Sequence, residues 1–482
     1  MKKSTILFTL MVMTAISVQS KVRLPHIISD NMVIQQNTQV RFWGWDQVGK
    51  KVTVSVSWSD KKYEAKTNRD GQWSVSIPTP AASYTPLSIT FDDGEAVTIH
   101  DVLAGEVWVC AGQSNMEMPM KGFGNCPVEG YMDEVINARQ YKGIHYVKIP
   151  SVMSMKPLND ANCEWKEINS ATISEASATG YFFAQVLNKV LDIPVGLVMA
   201  NKGGTRVESW LTRENLEKYT KEPLDTMAIV NGHEWDYHRQ LVWGNGTFNP
   251  ILNYTVKGII YDQGCSNVGD PGNQYSERLA LLVKQWREQF GLGEIPFYFV
   301  EIAPFHYDNI KGEDGARLRE QQYIASTKIP NSGLVCTNDL VYPYETTQIH
   351  PAQKKPVGQR LAYLALNQTY NMKEVWCKSP SFKDMKIDGS DIHIHLNDDY
   401  GAINRFEGIT GFEVAGADKV FYPAESVHFW RPGGGYWDET IKISCPEVKN
   451  PVAVRYGFRN FLLGNLKNAA GLPLFPFRTD NW

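Results

Sequence analysis

The chain has 482 residues, 43% hydrophobic and 21% charged, with a formal net charge of −4. This is globular composition, long enough for two or three domains, and the charge excludes nucleic acid as the expected partner. Seven scattered cysteines match neither a zinc site nor a disulfide-dense scaffold, which leaves at most one or two disulfides.

Residues 1–20 open with Lys2-Lys3, continue through an apolar run from Ile6 to Val18, and end on Ser20. The run is too short to span a bilayer and reads as a secretory signal peptide cleaved after Ser20. The expected protein is therefore exported, periplasmic or secreted. No cysteine follows the cut to carry a lipid, and no later segment has the length and apolarity of a membrane span.

Residues 21–102 have β texture. Val40–Trp45 and Val52–Trp58 are rich in branched and aromatic residues, and Trp73, Val75 and Ile77 alternate onto one face after an Asp70-Gly71 turn. A small β-sandwich is expected there.

Residues 103–375 change to alternating strands and helices. Val107–Gly112 is a short continuous apolar run, as in a strand covered on both faces. Ala178–Leu191 reads as a helix and Pro194–Ala200 as a strand. Tyr275, Leu279, Leu282, Val283, Trp286 and Phe290 recur at helical spacing. Strands are expected at Pro296–Phe305 and Gly333–Leu340, and a last helix within Ala352–Tyr370. The fold class is α/β, with a mostly parallel sheet between helices. Residues 376–482 return to β, with a hairpin at Met385–Leu396 turning on Asp388-Gly389 and a strand at Val452–Phe458. That C-terminal β domain is expected to pack closely, with the N-terminal one as a candidate partner.

Ligands of open parallel sheets bind beyond the carboxyl ends of the strands. Ser114 falls just past such an end, after Gln113 and before a short helix start, where a hydroxyl is exposed and backbone N–H groups gather. The plain alternative is a helix N-cap. A second strand end delivers Gly203 and Gly204, whose N–H groups can face a negative oxygen. A third delivers Gln263 and Asn267, with side-chain amide donors. The strand at Gly333–Leu340 leads to His350, held extended by Pro351. A serine, amide donors and a histidine from separate strands are the parts of a serine esterase: Ser114 attacks an acyl carbon and His350 moves the proton. His233 and His238 are spaced i, i+5, which does not make a zinc pair. His393 and His395 alternate with Ile392 and Ile394 on a strand's exposed side, and His306 follows a strand end.

The segments GEVWVCAGQSNMEMPM, NKGGTRVESWL, GIIYDQGCSN, IHPAQKKPVGQRLA and GLPLFPFRTDNW together resemble the sialate O-acetylesterases of the SGNH (GDSL-like) hydrolase superfamily. The resemblance covers nearly the whole chain after residue 20. It implies a flavodoxin-like three-layer catalytic domain flanked by N- and C-terminal β-sandwich (jelly-roll-like) segments, and no metal or organic cofactor. It implies Ser114 and His350 as catalytic, with Gly203 or Gly204 and Asn267 in the oxyanion hole. The residues themselves add Gln263 as a further oxyanion donor and Gln113 as a substrate-binding residue, and leave Arg206 either to meet a sugar carboxylate or to form a structural ion pair. Two departures stand out. The superfamily's Asp three residues before the histidine is Thr347 here, so the orienting group is left to Asp339, Glu345 or a backbone carbonyl. Cys265 stands in QGCSN where the family usually reads QGESN.

The reading is an exported carbohydrate O-acetylesterase acting on O-acetylated sialic acid through a serine acetyl-enzyme. The alternatives are an acetyl-xylan or other polysaccharide deacetylase and a glycan-binding protein with a decayed site. The expected partner is an acetylated sugar or glycan, and the sequence is silent on oligomeric state.

Overall fold

The computed structural model describes residues 21–269, 274–398, 407–430 and 440–482; the expected signal peptide lies outside the described residues. The organising element is one long strand, Val97–Gly112, buried without interruption from Val102 onward. Its first half pairs antiparallel with Ser83–Asp92 and its middle pairs parallel with Val33–Gln35. Its last residues pair parallel with Val195–Asn201 on one side and Gly258–Asp262 on the other. The strand therefore runs unbroken across residues 102 and 103, where the composition changes.

The central sheet continues outward through Phe297–Val300 to Ser332–Val335 on one flank, and through Ile144–Lys148 to the antiparallel edge strand Trp165–Glu167 on the other. With Ile144–Lys148 left aside, the five other parallel strands, counted along the chain, lie in the order 2-1-3-4-5. Side chains alternate across the sheet because successive Cβ atoms point to opposite faces. Val107, Val109 and Ala111 pack with Leu279, Leu282 and Trp286, while Trp108 and Cys110 pack with Tyr181, Phe182 and Leu361. Helices thus cover both faces: Tyr275–Phe290 and Asp314–Lys328 on one, Ala178–Leu191 and Lys354–Leu364 on the other.

Several expected elements are shorter than their apolar texture suggests. The segment expected as a strand over Pro296–Phe305 is strand only at Phe297–Val300, and that over Gly333–Leu340 only at Ser332–Val335. Beyond those points the chain leaves the sheet to build loops at its carboxyl edge. The last helix starts at Lys354, with Pro356 in its first turn, where a missing N–H costs no helical bond. All seven cysteines are free thiols, so neither of the disulfides that the cysteine count allowed is formed. Cys110 and Cys336 are core residues.

The C-terminal segment forms two four-stranded antiparallel sheets around one core, in which Ile392, Ile394, Ile441 and Ile443 meet Val414, Val454 and Tyr456. It is joined to the helix Asp314–Lys328 by charge. Arg455 forms two hydrogen bonds to Asp480, at 2.7 and 2.9 Å, and a third to Glu313. Arg478 forms a two-pronged pair with Glu320 at 2.8 and 3.0 Å. Burial pushes the Asp480 carboxyl up, but the Arg455 guanidinium more than offsets this, and its pKa falls below the ordinary carboxylate value.

Removing one partner of a buried ion pair leaves the other unpaired. Arg455→Met is expected to lower stability by about 3–5 kcal/mol, seen by calorimetry as a fall in the thermal midpoint. With a depressed native pKa, the contribution of Asp480 is present above its unfolded pKa and is lost as pH falls through the native one. The gap between wild type and Arg455→Met should therefore narrow in strong acid.

Candidate active site

Gly112 ends the long strand at a φ of 126°, and a Cβ there would lie 2.1 Å from the carbonyl oxygen of Asp262. Only glycine permits that approach. It lets the Gln113 N–H donate to Asp262 O at 2.8 Å, while the Gly264 N–H donates to Gln113 Oε1 at 2.7 Å. The Gln113 side-chain nitrogen, Nε2, makes no hydrogen bond to a described residue. Ser114 then opens a single helical turn, Ser114–Glu117. It is half-buried, and its hydroxyl makes no hydrogen bond to a described residue.

The loop after Val195–Asn201 lies against this serine: a Cβ on Gly203 would sit 3.3 Å from Ser114 Cβ. The two glycines are not equivalent. The Gly203 N–H is committed to Glu117 Oε2 at 2.5 Å. Gly204, at φ 77°, keeps its N–H free of any hydrogen bond among the described residues, as does Ser114.

The amide side chains at the next strand end are bound into a buried network. Gln263 Nε2 donates to Thr205 O at 3.1 Å and to Asn267 Oδ1 at 2.8 Å, so both of its protons are committed and it is no oxyanion donor as folded. Asn267 accepts from the Val207 N–H and donates to Glu208 Oε2, both at 3.0 Å, leaving one Nδ2 proton. Glu208 is in turn paired with Arg278 at 2.8 Å. Arg206, expected to meet a sugar carboxylate, is engaged with Glu222 at 2.7 and 2.9 Å and with the His238 carbonyl at 2.9 and 3.0 Å. A guanidinium already matched to a carboxylate in this way is a structural ion pair.

His350 reaches the same place from the opposite flank. Asn115 Nδ2, next to the serine, donates to Ile349 O at 3.1 Å, next to the histidine. No Ser114–His350 hydrogen bond is formed. The His350 Nδ1 lies 3.7 Å from Cys126 Sγ, and the Phe123 ring meets the imidazole edge-on with centroids 5.1 Å apart. Burial first, and the Lys354 charge second, lower the imidazole pKa to about 4. The ring is therefore neutral at ordinary pH and able to accept a proton.

Neither acidic candidate touches it. Asp339 accepts two bonds from Arg360, at 2.7 and 2.8 Å, and pairs with Lys467 at 2.7 Å. Glu345 accepts from the N–H groups of Tyr342 and Ala352, at 2.8 and 3.1 Å, and so shapes the histidine loop. The expectation of Asp339 as the orienting acid is corrected by these bonds. Among the described residues no carboxylate or backbone carbonyl hydrogen-bonds the imidazole, and the Cys126 thiol occupies the Nδ1 side.

Lys354 was not singled out in the sequence, where one lysine of a Lys-Lys pair before a helix resembles a surface residue. It is buried, its ammonium lies 2.6 Å from Asn115 Oδ1, and burial lowers its pKa to about 8. Burial raises the neighbouring Asp262 carboxyl to about 7, with the Lys354 charge pulling the other way.

Residues 104–367 match the carbohydrate esterase family described as sialic acid-specific acetylesterase. The sialate O-acetylesterase of Homo sapiens is 25% identical over 396 residues, which cover 74% of this chain and 73% of the human one. That of Mus musculus is 23% identical over 450 residues, 82% of each chain. Among solved structures, a carbohydrate acetylesterase from Xanthomonas citri superposes with a TM-score of 0.84 at 30% identity, covering 96% of this chain and 100% of the other.

If ester cleavage needs the neutral imidazole, kcat/KM on 4-nitrophenyl acetate should fall only as pH drops through about 4, not 6.5. Lys354→Met removes the second cause of the low pKa and should move that acid limb upward. A wild-type limb at 6.5, or one unmoved in Lys354→Met, would contradict this electrostatic account.

Proposed function

The chain belongs to the sialic acid-specific acetylesterase family of carbohydrate esterases and is a carboxylic ester hydrolase, and we propose that it removes acetyl groups from O-acetylated sialic acid through an acetyl-enzyme on Ser114. The observation that carries the reading is the meeting of two loops. An uncommitted serine hydroxyl at a parallel strand end is tied, through Asn115 and Ile349, to a neutral histidine.

In the first half-reaction, Ser114 Oγ attacks the acetyl carbon and His350 Nε2 takes the hydroxyl proton. The tautomer this requires carries its other proton on Nδ1, where the Cys126 sulfur is a weak acceptor. Oxygen charge developing on the acetyl group is met by the N–H groups of Ser114 and Gly204, with the remaining Asn267 proton as a third donor. One such donor is worth about 3–4 kcal/mol of barrier. The C–O bond to the sugar breaks, and His350 returns the proton to the leaving alcohol. Water then attacks acetyl-Ser114 with His350 again as base, releasing acetate and restoring the hydroxyl. The Ser–His contact, open in the free protein, shortens when substrate fills the site.

The reading extends to the architecture. Five of the six parallel strands in the order 2-1-3-4-5, Ile144–Lys148 being the sixth, with helices on both faces, support a flavodoxin-like SGNH hydrolase domain at 103–375, between β-sandwich segments at 21–102 and 376–482. The leader pattern of residues 1–20 supports export to the periplasm or beyond.

The test is acetate release from mixed O-acetyl sialic acids and from acetyl-xylan. Wild type is expected to prefer the sialic acids, with Ser114→Ala and His350→Ala each reduced by at least about a thousandfold. Undiminished release by Ser114→Ala would refute the acetyl-enzyme, and preference for acetyl-xylan would refute the substrate.

A further inference from the structure

Beside the Ser114 loop stands an aromatic pair that the proposed chemistry does not use. The Tyr237 ring rests on Gly204: a Cβ on that glycine would fall 2.5 Å from it. Trp235 lies parallel to Tyr237, with ring centroids 5.8 Å apart and planes 7° apart. The indole is 51% exposed although the loop beneath it is firmly held. Ser209 Oγ donates to Tyr237 O at 3.2 Å, the Trp243 indole to Asp236 O at 3.3 Å, and Arg206 to His238 O. This gives the Arg206–Glu222 pair a purpose other than meeting substrate: it anchors the strip that carries the two rings.

A large exposed aromatic surface on a fixed backbone, continuous with a catalytic centre, is suited to binding, because little freedom remains to be lost. Its flat apolar face fits the C–H face of a pyranose. The flanking side chains set the sign of the occupant. Glu234 and Asp236, on either side of Trp235, are both exposed, which disfavours an anionic sugar on the platform. Through Gly203 and Gly204 the platform is contiguous with Ser114, so a sugar resting on it can belong to the same glycan as the one at Ser114.

We propose that Trp235 and Tyr237 form a subsite that stacks against a neutral pyranose joined to the acetylated sugar, which makes the preferred substrate a glycan of two or more units rather than a free monosaccharide. The identity of the acetylated unit rests on the function proposed above; the platform itself does not.

Acetate release is measured from O-acetylated sialyl-lactose and from free O-acetylated sialic acid. Wild type is expected to show a kcat/KM at least about tenfold higher on the lactose-linked substrate, mostly through KM. In Trp235→Ala the ratio between the two substrates should fall to about one, and Trp235→Phe should keep most of it. Using the ratio separates lost stacking from any general damage to the enzyme. A wild-type ratio near one, or an unchanged ratio in Trp235→Ala, overturns the proposal. Should wild type release acetate from neither substrate, it is the function reading that fails. Saturation-transfer NMR with lactose then decides the platform: binding that Trp235→Ala abolishes supports it, and no binding to wild type overturns it.

Discussion

The site depends on a buried ammonium ion. Lys354 is out of water, and a charge in that position persists only with polar partners close by. It finds Asn115 Oδ1 at 2.6 Å, and its field is opposed by the nearby Asp262 carboxyl. Because Asn115 uses its other end to hold Ile349, one cation fixes the Ser114 turn against the His350 loop. The same charge adds to burial, the larger cause, in keeping the imidazole unprotonated. Geometry and proton affinity at the site thus share a cause.

A second constraint is how few donors remain free. Buried polar groups find partners, and here most of the amides near Ser114 have found them within the protein. Gln263 is exhausted, Asn267 nearly so, and the Gly203 N–H faces Glu117. What stays available is mainly main chain, at Ser114 and Gly204. Main-chain donors at such a position are held by the sheet and the turn rather than by a rotamer, so they need no rearrangement when charge appears.

The elements were legible in the sequence where the physics is local. Ala178–Leu191 follows from helical spacing, and Val107–Gly112 from its continuous apolar run, while the strand's extension back to Val97 across the expected boundary was not legible. Ser114, Gly204 and His350 were legible because strand ends in a parallel sheet converge. That no carboxylate among the described residues would orient the imidazole was not. Asp339 has the expected residue type after the expected strand, but Arg360 and Lys467, distant in the chain, claim it. Which of its two roles Arg206 takes, substrate contact or structural ion pair, was hidden for the same reason, since its partner Glu222 lies in a loop with no periodicity to place it. A side chain's availability depends on what folds against it, and residue spacing does not record that. Lys354 shows the converse: nothing in a Lys-Lys pair announces which of the two will be enclosed.

The strand Val97–Gly112 belongs to two sheets at once. A polypeptide rod shared in this way leaves no joint between the N-terminal unit and the catalytic layers, so neither can swivel against the other at that point. The direction in which Ser114 is presented is therefore set together with the N-terminal unit. Proteins built like this cannot exchange their leading module as freely as those strung on linkers, because removing it would cut the beam on which Ser114 is mounted.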